Sequence, residues 1–138
     1  MKAKRPFILM ASLLGSWLAA GLWPADGQQA PPTENKGVKI ESLTTIDLGP
    51  EIEGMQGRQL RLRFITFEPG GWLGQHSHKD RPAVVRALEG TLLEHREGGV
   101  TREHKQGENW AEGKETTHWV ENRGTKPAVI IVGDVFKP

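Results

Sequence analysis

Leu60-Arg61-Leu62-Arg63-Phe64-Ile65-Thr66-Phe67 runs through Glu68-Pro69-Gly70-Gly71 into Trp72-Leu73-Gly74-Gln75-His76-Ser77-His78. Through the first of these stretches apolar and polar residues alternate with a period close to two, the pattern of a strand laid against a core. Pro69-Gly70-Gly71 predicts a turn, after which the chain enters a strand that carries two histidines. In extended backbone, residues i and i+2 project to the same face, so His76 and His78 point together.

The same punctuation continues in both directions. Ala83 to Leu88 reads as a short apolar strand, Glu89-Gly90 as a tight turn, and Thr91 to His95 as the returning partner. Gly98-Gly99 signals a hairpin into a weak, polar strand from Val100 to His104. Gly107 to Gly113 reads as a loop around Trp110, Thr116 to Glu121 is β-rich, Asn122-Arg123-Gly124 turns, and Pro127 to Phe136 is a long apolar strand. Upstream, Ile40, Leu43 and Ile46 sit among Ser, Thr and Glu between Val38 and Leu48, and Gly49-Pro50 stops that strand before a loop to Gly57. About eight strands with closely spaced turns and no helix predict an all-β sandwich or small barrel.

The chain has 138 residues, room for one domain. Lys2, Lys4 and Arg5 precede an uncharged run from Phe7 to Trp23, the layout of an export signal. Gly15, Gly21 and Pro24 weaken the alternative of an uncleaved spanning helix. Ala25-Asp26-Gly27 supplies small residues for a cut near Gly27, with Ala20 a second position. The expected organisation is a signal peptide over 1–27, a linker and N-terminal strand over 28–57, and the barrel over 58–138. The exported chain, periplasmic or secreted, would keep no stable membrane association; an uncleaved N-terminal helix would leave it membrane-anchored.

Without residues 1–27 the chain keeps 15 Lys and Arg against 16 Asp and Glu, a net charge of −1. No basic block survives, which excludes a nucleic-acid footprint. Cysteine is absent, which excludes disulfides and thiolate chemistry.

His118 follows His76 and His78 on another predicted strand. Neutral imidazole is the commonest protein ligand for a first-row transition metal, and a third ring from a neighbouring strand closes a facial set with positions left open. His95 and His104, on the hairpin with Glu94, Arg96, Glu103 and Lys105, read as solvated surface. Asp80-Arg81 reads equally well as a substrate contact at the barrel mouth and as an exposed ion pair worth well under about 1 kcal/mol. Trp72, Trp110 and Trp119 suit the barrel ends or a pocket wall, and Asn122 suits a turn brace. Arg86 enters the cavity if Pro82 faces inward and leaves it if Ala83 does. Ala83, Arg86 and Trp119 are the candidate lining of a substrate pocket.

These residues resemble the two short motifs of the cupin superfamily. Gly70, His76, His78 and Gly90 fit the first, and Gly107, His118 and Asn122 fit the second at the right spacing. Two positions depart: Ala83 stands where the first motif carries glutamate, and Gly113 and Glu115 replace the Pro and Gly of the second. The resemblance covers roughly Arg58 to Phe136. It implies a single-domain cupin β-barrel of the double-stranded β-helix type, with His76, His78 and His118 as ligands of one divalent transition metal.

Three histidines without the glutamate resemble the set of some cupins that bind iron(II) with no carboxylate, cysteine dioxygenase and diketone-cleaving types among them. Iron is the expected metal, with zinc, nickel, copper or manganese as alternatives; an all-nitrogen shell weighs against manganese. The resulting expectation is an exported, metal-binding cupin, a mononuclear-metal enzyme of dioxygenase type acting on a small molecule, and a homodimer. The alternative is a non-catalytic cupin that binds a small ligand or metal in the cell envelope.

Overall fold

The computed structural model describes residues 30–138. The expected signal segment and its cut near Gly27 lie outside the described residues. Eight strands follow one another: β1 (Lys36–Asp47), β2 (Gln59–Ser77), β3 (Ala83–Glu89), β4 (Thr91–Arg96), β5 (Val100–Lys105), β6 (Asn109–Glu112), β7 (Thr117–Glu121) and β8 (Ala128–Phe136). Every pairing is antiparallel. The sheet runs β5-β4-β7-β2-β8-β3-β6, with β1 added on β2, and it curls into the expected all-β barrel. Among the described residues no helix is long and apolar enough to cross a membrane.

The stretch quoted first behaves differently from its reading. Pro69-Gly70-Gly71 is a corner inside one strand of 19 residues, not a turn between two. Gln59 to Phe67 pairs with β8 on one side and β1 on the other, whereas Trp72 to Ser77 pairs with β7. Gly70 takes φ 73°, open to glycine at little cost. Gly71 packs so closely that an added Cβ would lie 2.5 Å from the Gly37 carbonyl oxygen. The bend moves β2 from one half of the barrel to the other and carries His76 and His78 to β7.

Two further expectations are corrected. β3 and β4 do not form a hairpin: β3 lies between β8 and β6, and β4 between β7 and β5. Gly90, at φ 72°, carries the chain across the barrel end, where a Cβ would press on Ala128 at 2.9 Å. The predicted loop from Gly107 to Gly113 contains β6, which pairs with β3 through Ala83↔Glu112, Val84↔Ala111, Val85↔Trp110 and Arg86↔Asn109. Four residues, Asn-Trp-Ala-Glu, are too few to carry a readable alternation, so the pairing comes from β3 and not from β6's own pattern.

Phe67, Ile65, Leu92, Val85, Ile130 and Val132 form the centre of the core. Burying an aliphatic or aromatic side chain of this kind stabilises by about 1.5–3 kcal/mol. The alternation on β3 settles its register. Ala83, Val85 and Ala87 are buried while Val84 is 64% exposed and Arg86 is exposed, so Ala83 faces inward and Arg86 outward. The inward face of β2 also includes Arg63, which joins Arg61 on the buried carboxylate of Asp134 at 3.1 Å, with Arg61 bidentate at 3.0 and 2.9 Å. A buried carboxylate held by two guanidinium groups avoids the cost of an unpaired interior charge. Asn122 is buried and braces its turn, donating to the Phe67 and Lys126 carbonyls and accepting from the Gly124 amide.

Candidate metal centre

β2 and β7 place His76 and His118 directly opposite each other, and His78 follows the last residue of β2. The three rings meet inside the barrel, with one ligand atom from each lying within 4.8 Å of the others. His118 Nε2 is 3.1 Å from His78 Nε2 and 3.2 Å from His76 Nε2. His78 and His118 are buried; His76 is half-buried at the rim.

The far nitrogen of each ring is held by an oxygen. His76 Nδ1 faces the Gly74 carbonyl at 2.8 Å, His78 Nδ1 the Arg81 carbonyl at 3.0 Å, and His118 Nδ1 the Glu94 carboxylate at 2.6 Å. An oxygen acceptor at Nδ1 puts the ring proton there and leaves the Nε2 lone pair turned to the centre. Burial pushes His76 and His78 down to about 4, and the neighbouring rings and Arg81 add to the effect. At neutral pH both rings are therefore uncharged and able to coordinate.

Three lone pairs converging at such distances repel one another. A cation between them reverses the sign of that interaction. Nitrogens about 2.0–2.1 Å from one ion and near right angles to each other lie about 3 Å apart, close to the observed spacing. The donor set and its spacing fit a divalent transition metal.

The supporting residues were largely hidden from sequence. Glu94, on β4, is fully buried and accepts from His118 Nδ1, from His104 Nε2 at 2.9 Å and from Arg96 Nε at 2.8 Å. His104 is thus not solvated surface: it is buried and stacks on Trp110 with ring centroids 3.8 Å apart. His95 is half-buried, 2.7 Å from Glu121 and stacked on Trp119. Glu112 from β6 is buried, with Oε2 3.0 Å from His78 Nε2. A glutamate on a strand reads as solvent-facing by default, so the sequence did not single out Glu94 or Glu112 as interior. Only the alternation of Leu92 with Glu94 across one strand face could have suggested the first.

Asp80 and Arg81 form neither an ion pair with each other nor a simple exposed loop. Asp80 takes φ 59°, and the turn it makes brings the Arg81 amide onto the His78 carbonyl and the Arg81 carbonyl onto the His78 ring. Of the candidate pocket residues, Ala83 faces inward opposite Glu112. Arg86 points outward and donates to Asn109 Oδ1 at 3.0 Å. Trp119 borders a cleft of about 490 Å³ that also touches His118, His95, Arg96 and Gln75. The cavity enclosed by the three histidines, Arg63, Trp110 and Glu112 holds only about 20 Å³, space for a water-sized molecule.

The family model described as "Cupin domain" matches residues 63–133, which include all three histidines. No protein of curated function matches the sequence. Among solved structures, a polyketide cyclase from Streptomyces resistomycificus superposes with a TM-score of 0.58 at 18% identity, covering 75% of this chain and 68% of that one. A Schizosaccharomyces pombe cupin domain gives 0.57 at 12% identity, with 72% and 64% covered. An oxalate oxidase in complex with the substrate analogue glycolate gives 0.54 at 21% identity, with 73% and 55% covered. The chain thus spans less than two thirds of the last two structures, and at these identities the likeness is one of fold. With both histidine strands inside the matched region and the barrel around them, the chain belongs to the cupin family.

Proposed function

We propose that this chain is an exported, metal-binding cupin whose three-histidine centre serves a mononuclear-metal enzyme acting on a small molecule. The convergence of three Nε2 atoms, each fixed by an oxygen on its far nitrogen, is the observation that carries the reading. His76, His78 and His118 would hold one divalent metal, iron first among the candidates. Such an ion supplies Lewis-acid chemistry and, when it is iron(II), dioxygen chemistry. The protein's part is to keep the rings neutral and aimed, and to exclude bulk water from the centre with Phe67, Ile65 and Val85. A substrate would approach past the half-buried His76, from the side of the barrel where a cleft borders His118 and Trp119. The neighbour crystallised with glycolate supports a small, chelating, anionic class of ligand for the same fold.

A second reading, a non-catalytic cupin of the cell envelope that binds metal or a small ligand, is favoured by one observation. The space at the centre admits a water-sized molecule and no organic substrate without movement of its walls.

Metal content measured by mass spectrometry on purified protein tests the shared part of both readings. Wild-type protein should carry or take up about one divalent ion per chain, and His76→Ala with His118→Ala should abolish uptake. Equal occupancy in that double variant sinks the assignment. Oxygen consumption against a panel of small chelating acids then separates enzyme from binding protein.

A further inference from the structure

We propose that Glu112 is a fourth protein ligand of the centre, delivered from β6 into the space that Ala83 leaves open on β3. The inference rests on the metal-binding reading above and adds a residue at a position that the second histidine motif leaves unspecified. Ala83 and Glu112 are directly paired across the β3–β6 ladder, and both are buried, so their side chains share the inward face. A methyl group at residue 83 leaves room for its cross-strand neighbour to reach the histidines. Glu112 does so: Oε2 lies 3.0 Å from His78 Nε2, and Oε1 lies 3.9 Å from His118 Nε2.

The carboxylate is also aimed. Trp110 Nε1 donates to Glu112 Oε1 at 2.8 Å, which turns Oε2 toward His78. Trp110 is itself fixed by stacking on His104, which donates to Glu94, the carboxylate that holds His118. One chain of contacts therefore orients both the third imidazole and the carboxylate.

The chemistry of the contact points the same way. His78 Nδ1 carries its proton toward the Arg81 carbonyl, so Nε2 faces Glu112 as an acceptor. Two acceptors 3.0 Å apart are stabilised by a cation between them, a role a proton or a metal ion can fill. A centre with one carboxylate is less positive and harder than one with three imidazoles, which widens the candidate metals toward manganese(II) as well as iron(II).

The test titrates manganese(II) and cobalt(II) into metal-free wild-type, Glu112→Gln, His76→Ala and the double variant Ala83→Glu with Glu112→Ala. Uptake is followed by paramagnetic resonance for manganese and visible absorption for cobalt. Glu112→Gln should weaken manganese binding roughly a hundredfold or more, beyond the usual loss for an outer-shell partner, and should change the cobalt spectrum. The double variant moves the carboxylate to the opposing strand and should recover binding to within about tenfold of wild type. If a variant fails to fold, shown by its melting curve, the isosteric Glu112→Gln protein decides alone. Wild-type affinity for both ions in Glu112→Gln, with binding lost in His76→Ala, overturns the role of Glu112 and spares the three-histidine reading. No uptake by the wild-type protein overturns both.

Discussion

Glu94 shows how single residues set the state of this centre. Its carboxylate is fully buried, and burial alone would push it up. Hydrogen bonds from His104, His118 and Arg96 outweigh that cost and hold it well below the usual carboxylate range. An ionised Glu94 fixes the proton of His118 on Nδ1 and makes the coordinating nitrogen more basic. Glu94→Gln should therefore lower metal affinity by about 10–100-fold while the apo protein stays folded. Titration against a competing chelator reads this directly, and an affinity unchanged from wild type would remove Glu94 from the positioning role. At this scale the sequence showed the three histidines but not their supports. A histidine pair at spacing two is a local pattern, whereas His104 and Glu94 become interior only when β5 pairs with β4 and the hairpin packs against Trp110.

Among the elements, β1, β5 and β6 each have a single partner, and β1 is the longest of the three. It pairs only with β2, and Ile40, Leu43 and Ile46 remain 46, 41 and 48% exposed. An edge strand that presents apolar side chains and free backbone groups is a template for another chain. We expect a homodimer that associates through this strand. Ile40→Glu with Ile46→Glu should convert it to a monomer without loss of the fold, because both side chains already face solvent. Light scattering at several concentrations checks this, and a wild-type mass of one chain at every concentration refutes it. The alternation from Val38 to Leu48 was enough to predict a strand here. The corner at Gly70 and the crossing at Gly90 were read as ordinary turns, since glycine permits many backbone paths and does not say which one packing selects.

For the whole molecule, the described residues form a barrel, and 29 residues precede them in the sequence. Their basic start, uncharged run and small residues before Gln28 motivate the proposal of export. Produced in its host, the protein should have its N-terminus near Gln28 and should be released from a diderm bacterium when the outer membrane is disrupted. Intact mass checks the cut. A chain retaining Met1 in the membrane fraction favours the anchored reading, and one retaining Met1 in the cytoplasm defeats both.

Composition and period alone determined that this protein is all-β and that three imidazoles stand on strands or at a strand's end. Those are local properties: alternation reports one buried face, and residues two apart on a strand share a side wherever that strand lies. Tertiary structure decided which strands are neighbours. It joined the strand predicted over Leu60–Phe67 and the histidine strand into one, separated β3 from β4, and made a strand of Asn109–Glu112 where the sequence read a loop. That last change brought Glu112 opposite Ala83 and beside His78, in a centre that sequence alone read as free of carboxylates. Pairing across a barrel depends on contacts far apart in the chain, so the carboxylates that surround the histidines are visible only once the sheet has curled.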